Sequence, residues 1–203
     1  DYFGGKRDIS NRIIRTVGDP FRRFSEDYLR IIRAIRFATS LDFDIDDETS
    51  KWMRYFSMSV KNVSMERIRD EILKMSSCQN FVLAVYLLNK YDILKHILPE
   101  VAALSNVDQT DAVRNIHMEG DVFTHTLLVM KNCSDNSIVQ IAALLHDVGM
   151  LSTRMFVEVE HNGVHGVATQ FIRHESASVE KSIEIMKRLK FDNEFSGMLL
   201  ALV

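Results

Sequence analysis

The sequence has few of the residues that interrupt helices. It holds two prolines and eight glycines in 203 residues, and no glycine falls between Gly18 and Gly120. A stretch that long without glycine reads as a succession of helices joined by short turns. No β-branched alternating pattern dominates, so the expected fold class is all-α. Cysteine is equally scarce. Cys78 and Cys133 stand far apart without a CxxC spacing, which excludes a disulfide framework and points to a reducing compartment. No apolar run reaches the roughly 18–20 residues of a membrane span and no signal peptide is evident, so the protein is expected to be cytoplasmic with no membrane partner.

Net charge is also small, −3 overall, but it is unevenly distributed. Residues 1–36 carry nine Lys/Arg against five Asp/Glu, a local excess of +4, and the remainder is −7. A basic first segment is the place to look for phosphate contacts, although a mixed solvated surface accounts for the same numbers. The sequence starts at Asp1 rather than Met and ends in an apolar Met-Leu-Leu-Ala-Leu-Val run with no helix stop signal. Both ends are therefore expected to lie inside a longer protein.

The stretch Phe24–Phe43, FSEDYLRIIRAIRFATSLDF, organises the rest. Ser25 is a suitable N-cap for a helix beginning at Glu26. Tyr28, Ile31, Ile32, Ile35 and Ala38 recur at helical spacing on one face, while Ala34, Phe37 and Leu41 lie on the other side. A helix apolar on more than one face belongs in the interior. Yet it carries Asp27, Arg30, Arg33 and Arg36, and Asp27 and Arg30 are spaced as helix-surface neighbours. One reading makes Glu26 and Asp27 simple complements of a helix N-terminus, with the arginines solvated or locally paired.

The other reading comes from a resemblance. The run RRFSEDYLRIIRAIRFATSLDF is similar to the nucleotide-selecting segment of the class II (bacterial-type) tRNA nucleotidyltransferases, which include CCA-adding enzymes and bacterial poly(A) polymerases. Glu26, Asp27 and Arg30 match the family's Glu-Asp-x-x-Arg motif, and Arg33 to Phe37 match Arg-Ala-x-Arg-Phe. The resemblance implies that Asp27 and Arg30 select CTP and ATP. Glu26, Arg33 and Arg36 would hold the helix or approach triphosphate. Gly4, Gly5, Asp8, Arg12 and Arg15 match the hinge between the catalytic head and the helical neck, and the resemblance counts Asp8, Arg12 and Arg15 among the nucleotide-binding residues. Arg67 and Glu71 in SMERIRDEILKM match an Arg-x-x-x-Glu element that props the selecting helix; without the family they read as an ordinary i,i+4 helix ion pair. The head, a β-sheet domain whose carboxylates hold Mg²⁺, is expected upstream of Asp1.

The chemistry of selection stands without the name. A carboxylate only accepts hydrogen bonds and a guanidinium only donates them. Cytosine and adenine each offer an amino donor beside a ring acceptor, whereas uracil and guanine place a carbonyl where the amino group would be. One Asp and one Arg side by side can thus reward C and A and penalise U and G. An unpaired buried polar group costs about 1–3 kcal/mol.

Further along, the Ile45-Asp-Asp-Glu-Thr segment opens a helix with acidic residues in its first turn, Ser64 is placed to cap the next, and FVLAVYLLNKYDIL reads as a buried core helix. Pro99 ends the segment after it. Six of the seven histidines then gather after residue 110: His117, His125, His146, His161, His165 and His174. The settings VFTHTLLVM, IAALLHDVGM and FIRHESASVEKS resemble an HD-type metal-dependent phosphohydrolase domain. In that resemblance His125, His146 and Asp147 match the first three metal ligands and His174 a following one, for Mg²⁺ or a divalent transition metal. The domain's closing Asp is expected beyond Val203. His161 and His165 fall in a glycine-containing loop, HNGVHG, and carry no ligand role. Singly, each histidine reads equally well as a satisfied structural residue.

The expected organisation is residues 1–19 as the end of the head and hinge, 20–105 as neck and body, and 106–203 as an HD-type domain. The implied function is addition of CCA to the 3′ end of tRNA, with tRNA, CTP and ATP as partners. A poly(A) polymerase, a CC- or A-adding enzyme and a stand-alone HD phosphohydrolase remain the alternatives.

Overall fold

The computed structural model describes residues 1–110, 120–161 and 163–203; His117 lies outside them. The chain divides into two compact units, Asp1–Ile97 and Leu98–Val203.

In the first unit, α1 (Gly5–Ser10) leads to a two-residue strand, β1 (Ile13–Ile14). There follow α2 (Pro20–Glu26), α3 (Leu29–Leu41) and β2 (Asp44–Ile45), which pairs in parallel with β1. Then come α4 (Asp47–Tyr55), a 3-10 turn at Ser57–Asn62, α5 (Met65–Ser76), α6 (Phe81–Lys90) and α7 (Leu94–Ile97). The core is built on α3. Ile31, Ile32 and Ile35 have no exposure, and α3 packs on α5, which brings Ile68 and Ile72, and on α6, which brings Ala84, Val85 and Leu88. Only one face of α6 is covered. Leu83 and Tyr86 stay exposed, so it is not the fully buried helix its composition suggests.

The helix expected to run from Glu26 is two helices. The start signal lies earlier, at Asp19-Pro20: Asp19 accepts a hydrogen bond from the Phe21 amide at 3.0 Å, and Pro20 occupies the first turn, where its missing N–H costs nothing. Ser25 does not cap; its hydroxyl donates to the Arg22 carbonyl at 2.9 Å. At Asp27 the backbone is extended (φ −157°, ψ 104°), and α3 begins at Leu29.

In the second unit Pro99 opens a helix rather than ending one, at the first turn of α8 (Pro99–Ala102). Next are α9 (Val122–Asn132), α10 (Ser137–Leu145), α11 (Met150–Thr153), strands β3 (Arg154–His161) and β4 (Val164–Phe171), α12 (His174–Arg188) and α13 (Asn193–Leu200). Six consecutive residues of α10, Gln140 to Leu145, are buried, and the helix packs between α9 and α13. The buried Gln140 side chain donates through Nε2 to the carbonyls of Met130 and Ser134 at 3.0 and 3.1 Å, while its Oε1 is buried without a hydrogen-bond partner. Glu100 and Arg188 form a two-pronged ion pair at 2.6 and 2.8 Å that ties α8 to α12.

The all-α expectation fails at β3 and β4, an antiparallel hairpin in register from Arg154 opposite Phe171 to His161 opposite Val164. His161 and His165 therefore lie on the strands of this hairpin rather than in an irregular loop. The fold of the described residues is mostly helical with two small sheets. Among the described residues no helix is long and apolar enough to cross a membrane.

Candidate functional site

The break at Asp27 fixes its side chain. One carboxylate oxygen accepts from the Leu29 amide at 3.1 Å and so caps α3; the other accepts from Arg67 Nη2 at 2.7 Å. The hydrogen bond from Arg67 is the main reason the Asp27 carboxyl is held below its usual value, and it outweighs partial burial. Asp27 is thus an ionised, acceptor-only group with about a quarter of its side chain exposed.

Arg30 does not pair with Asp27 through its side chain. Its Nη1 donates to Glu26 at 2.5 Å and to the Arg23 carbonyl at 2.6 Å. Its Nε and Nη2 have no partner among the described residues. Glu26 also takes Arg23 Nη1 at 2.8 Å, and its carboxyl is lowered chiefly by the bond from Arg30. The result is a cleft of about 410 Å³ walled by Arg15, Arg23, Arg30 and Arg33 with Phe37 and Thr49. Asp27 stands outside that wall, on Arg67. Arg15 is held by Asp8 at 3.0 Å and by Asp46.

Arg36 is turned away from the cleft. Its Nε donates to Glu71 at 2.6 Å, and its guanidinium lies 4.1 Å from the centre of the Phe37 ring. Glu71 is 3% exposed and also takes Lys74 at 3.0 Å. Burial would raise its carboxyl, but the bonds from Arg36 and Lys74 overcome that and hold it low. Arg67 and Glu71, spaced for a pair along one helix, each reach across instead: Arg67 to Asp27 and Glu71 to Arg36. Arg12 does not join the cleft either. It binds the Asp42 carbonyl at 2.9 Å and its carboxylate at 2.5 Å, at the far end of α3, and lines a separate cavity of about 690 Å³.

Sequence reasoning missed Arg23, whose guanidinium and carbonyl organise both Glu26 and Arg30. Nothing in its sequence setting distinguishes it from Arg22, which is 82% exposed. The Asp19-Pro20 signal that starts α2 was the one available clue, because it places Arg23 a turn before the break.

The second unit holds a separate cluster. His125 lies one turn into α9, which Asp121 caps through the Thr124 amide at 2.9 Å. His146 and Asp147 follow α10, and His174 opens α12. Donor atoms of His125, His146 and Asp147 lie within 4.8 Å of one another. The His174 Nε2 comes 3.8 Å from Asp147, whose carboxylate is nearly buried. The Nδ1 atoms of His146 and His174 contact the carbonyls of Ala143 and Phe171 at 2.8 and 2.9 Å. A carbonyl only accepts, so these Nδ1 atoms carry protons and the lone pairs of the neutral rings sit on Nε2.

Three Nε2 atoms thus surround one buried carboxylate, at 3.0, 3.8 and 3.9 Å. His146 Nε2 and Asp147 Oδ2 are both acceptors in the neutral state, and a contact of 3.0 Å between them calls for a positive charge. A proton can supply it: burial acts to lower the His146 pKa, but Asp147 overcomes burial and raises it. A divalent cation satisfies the same set of nitrogen and oxygen donors, so the residues fit a metal. Gly149 lets α12 come this close. A Cβ there would lie 2.4 Å from the Ser178 amide nitrogen and 2.6 Å from the His174 carbonyl oxygen, and its own amide donates to the Ser178 hydroxyl at 3.0 Å.

Comparison with known proteins agrees over nearly the whole chain. A family model described as "Probable RNA and SrmB-binding site of polymerase A" matches residues 42–104. The Multifunctional CCA protein of Haemophilus influenzae is 33% identical over 212 residues, covering 98% of this chain and 47% of its own length. That of Neisseria meningitidis serogroup C is 33% identical over 195 residues, covering 94% and 43%. The Bacillus stearothermophilus CCA-adding enzyme, solved with CTP, aligns over 99% of this chain and 40% of its own at a TM-score of 0.60 and 22% identity. The Thermotoga maritima CCA-adding enzyme, solved with tRNA, aligns over 98% and 40% at a TM-score of 0.55 and 20% identity. The chain spans about half the length of the curated relatives it matches. Together with the helical fold, this similarity supports a class II CCA-adding enzyme-type fragment.

Proposed function

We propose that this chain is the nucleotide-selecting and RNA-binding part of a template-independent tRNA nucleotidyltransferase that adds CCA to tRNA 3′ ends in the cytoplasm. The observation that carries the reading is Asp27: an ionised acceptor fixed at a helix break by Arg67, three positions before Arg30, which borders a cleft of four arginines. The arginines match a nucleotide's phosphates in charge. Asp27 and the uncommitted N–H groups of Arg30 match the edges of C and A. Arg67, Glu71 and Arg36 act as positioning residues, tying α5 to the segment that presents Asp27 and Arg30. Phosphoryl transfer itself belongs to a Mg²⁺-holding head supplied by residues not in this sequence.

A full-length protein carrying this sequence, given tRNA lacking its 3′ end with CTP and ATP, adds C, C and A and stops. A long run of A would assign it instead to the poly(A) polymerases.

The cluster around Asp147 supports a second activity in the other unit. His125, His146, His174 and Asp147 would hold a divalent metal in an HD-type domain. Bound there, the metal would supply Lewis-acid activation for hydrolysis of a phosphate ester. His146 and His174 keep Nε2 turned inward through their carbonyl contacts, and Asp147 supplies the negative charge. Metal analysis of the purified protein, beside hydrolysis of a generic phosphodiester, tests it.

A further inference from the structure

On the first unit, α2 and α4 carry aromatic rings that the core does not use. Phe21, Trp52 and Tyr55 pack edge on, with Phe21–Trp52 and Trp52–Tyr55 ring centres 5.0 and 5.2 Å apart. Phe56, 8% exposed, anchors them from below, 4.9 Å from Tyr55. Phe21 is nonetheless 41% exposed and Tyr55 68%. A cluster that served only packing would bury its outer rings, since each carries a large apolar area. One cation flanks it on the same helix: Lys51 Nζ lies 5.5 Å from the Trp52 ring centre. Lys51 has no carboxylate partner among the described residues. Arg54 faces elsewhere, over the buried Tyr91 ring in the cavity that Arg12 lines.

Exposed aromatic faces beside an unpaired cation suit unpaired nucleotides, whose bases stack and whose phosphates meet the charge. A duplex hides its base faces and offers no such fit. The surface also adjoins the arginine cleft: α2 contributes Phe21 to one and Arg23 to the other, and Thr49 of the cleft wall lies one turn before Trp52 on α4. We infer that Phe21, Trp52 and Tyr55, with Lys51, form a stacking platform for unpaired nucleotides at the end of the RNA. The inference rests on the proposed nucleotidyltransferase reading, which requires an RNA end beside the nucleotide cleft.

Trp52 is the only tryptophan in the chain, so its emission reports on the platform alone. A short single-stranded RNA with a fluorescent label is titrated into the protein, and a blunt duplex of the same sequence in parallel. Trp52 emission and RNA anisotropy are both followed. Saturable quenching by the single strand and none by the duplex is expected. Tyr55→Ala should weaken binding about 10-fold, Tyr55→Phe should restore it, and Lys51→Ala should reduce the salt dependence. Circular dichroism checks that the variants stay folded. Single-strand binding that leaves Trp52 emission unchanged, or that Tyr55→Ala does not weaken, overturns the platform while the nucleotide-selecting reading stands. Equal quenching by the duplex overturns it too. Binding of neither RNA overturns both and leaves the surface to a protein partner.

Discussion

Arg67 reaches 40 positions back along the chain to Asp27, with Nη2 2.7 Å from the carboxylate, rather than one helical turn forward to Glu71. That choice separates two roles that sequence spacing merged. A pair within α5 would have stabilised α5 alone. The observed pair fixes the direction and ionisation of a carboxylate at a helix break, where a ligand can reach it.

Arg67→Ala should therefore change specificity more than stability. Half of the Arg67 side chain is exposed, so losing its ion pair should cost less than about 1 kcal/mol. For a chain of this size that is a shift in Tm of no more than about 4 °C. The ratio of kcat/KM for CTP over UTP in a full-length protein carrying this sequence should fall, because the Asp27 carboxylate loses its orientation. A large loss of Tm with an unchanged ratio would make Arg67 purely structural.

Arg36 and Glu71 should behave in the opposite way. Arg36→Ala leaves a nearly buried carboxylate with only Lys74 and should cost about 2–3 kcal/mol. The pair also sets an acid limit. The folded Glu71 carboxyl is lowered, so its contribution is fully present above the unfolded value of about 4.3 and is lost as pH falls through the lower folded value. Urea midpoints between about pH 7 and about pH 3 should drop on the acid side. Glu71→Gln should be less stable at neutral pH and show a shallower fall; an identical slope would remove Glu71 from the account.

In the second unit, His146→Ala should abolish metal binding and any phosphate-ester hydrolysis while leaving nucleotide addition intact, because the cluster and the arginine cleft lie in different units. Gly149→Ala offers an independent check without touching a donor. Its Cβ must push α12 away and carry His174 with it, so metal affinity should fall more than 10-fold. The added strain should cost about 1–3 kcal/mol. Unchanged metal content in both variants would make these histidines structural.

The helical character was legible because the glycine-free interval and the apolar spacing of Ile31, Ile32 and Ile35 leave few other solutions. The break at Asp27 was not, because Ser25 offers an equally good local cap and only the tertiary contact with Arg67 favours extended backbone two residues later. The hairpin had a signal that went unused: Val157 to Glu160 alternates apolar and charged residues ahead of an Asn-Gly pair, the strongest short-range mark of a hairpin. The grouping of His125, His146, Asp147 and His174 depends on three helices meeting, which spacing along the chain cannot report. Motif resemblance alone joined them. Arg12 shows the limit of that resemblance, since it matches a motif position and yet sits on Asp42 at the far end of α3.

The central claim is that Asp27 reads the base, and the ratio of kcat/KM for CTP to that for UTP in Asp27→Ala, in a full-length protein carrying this sequence, tests it most directly. Losing this carboxylate would remove both the reward for the amino group of C and A and the repulsion against the carbonyl of U and G, so the account predicts a ratio that collapses toward one in a folded protein. An Asp27→Ala protein that keeps the wild-type ratio would contradict it and leave Asp27 as no more than the cap of α3.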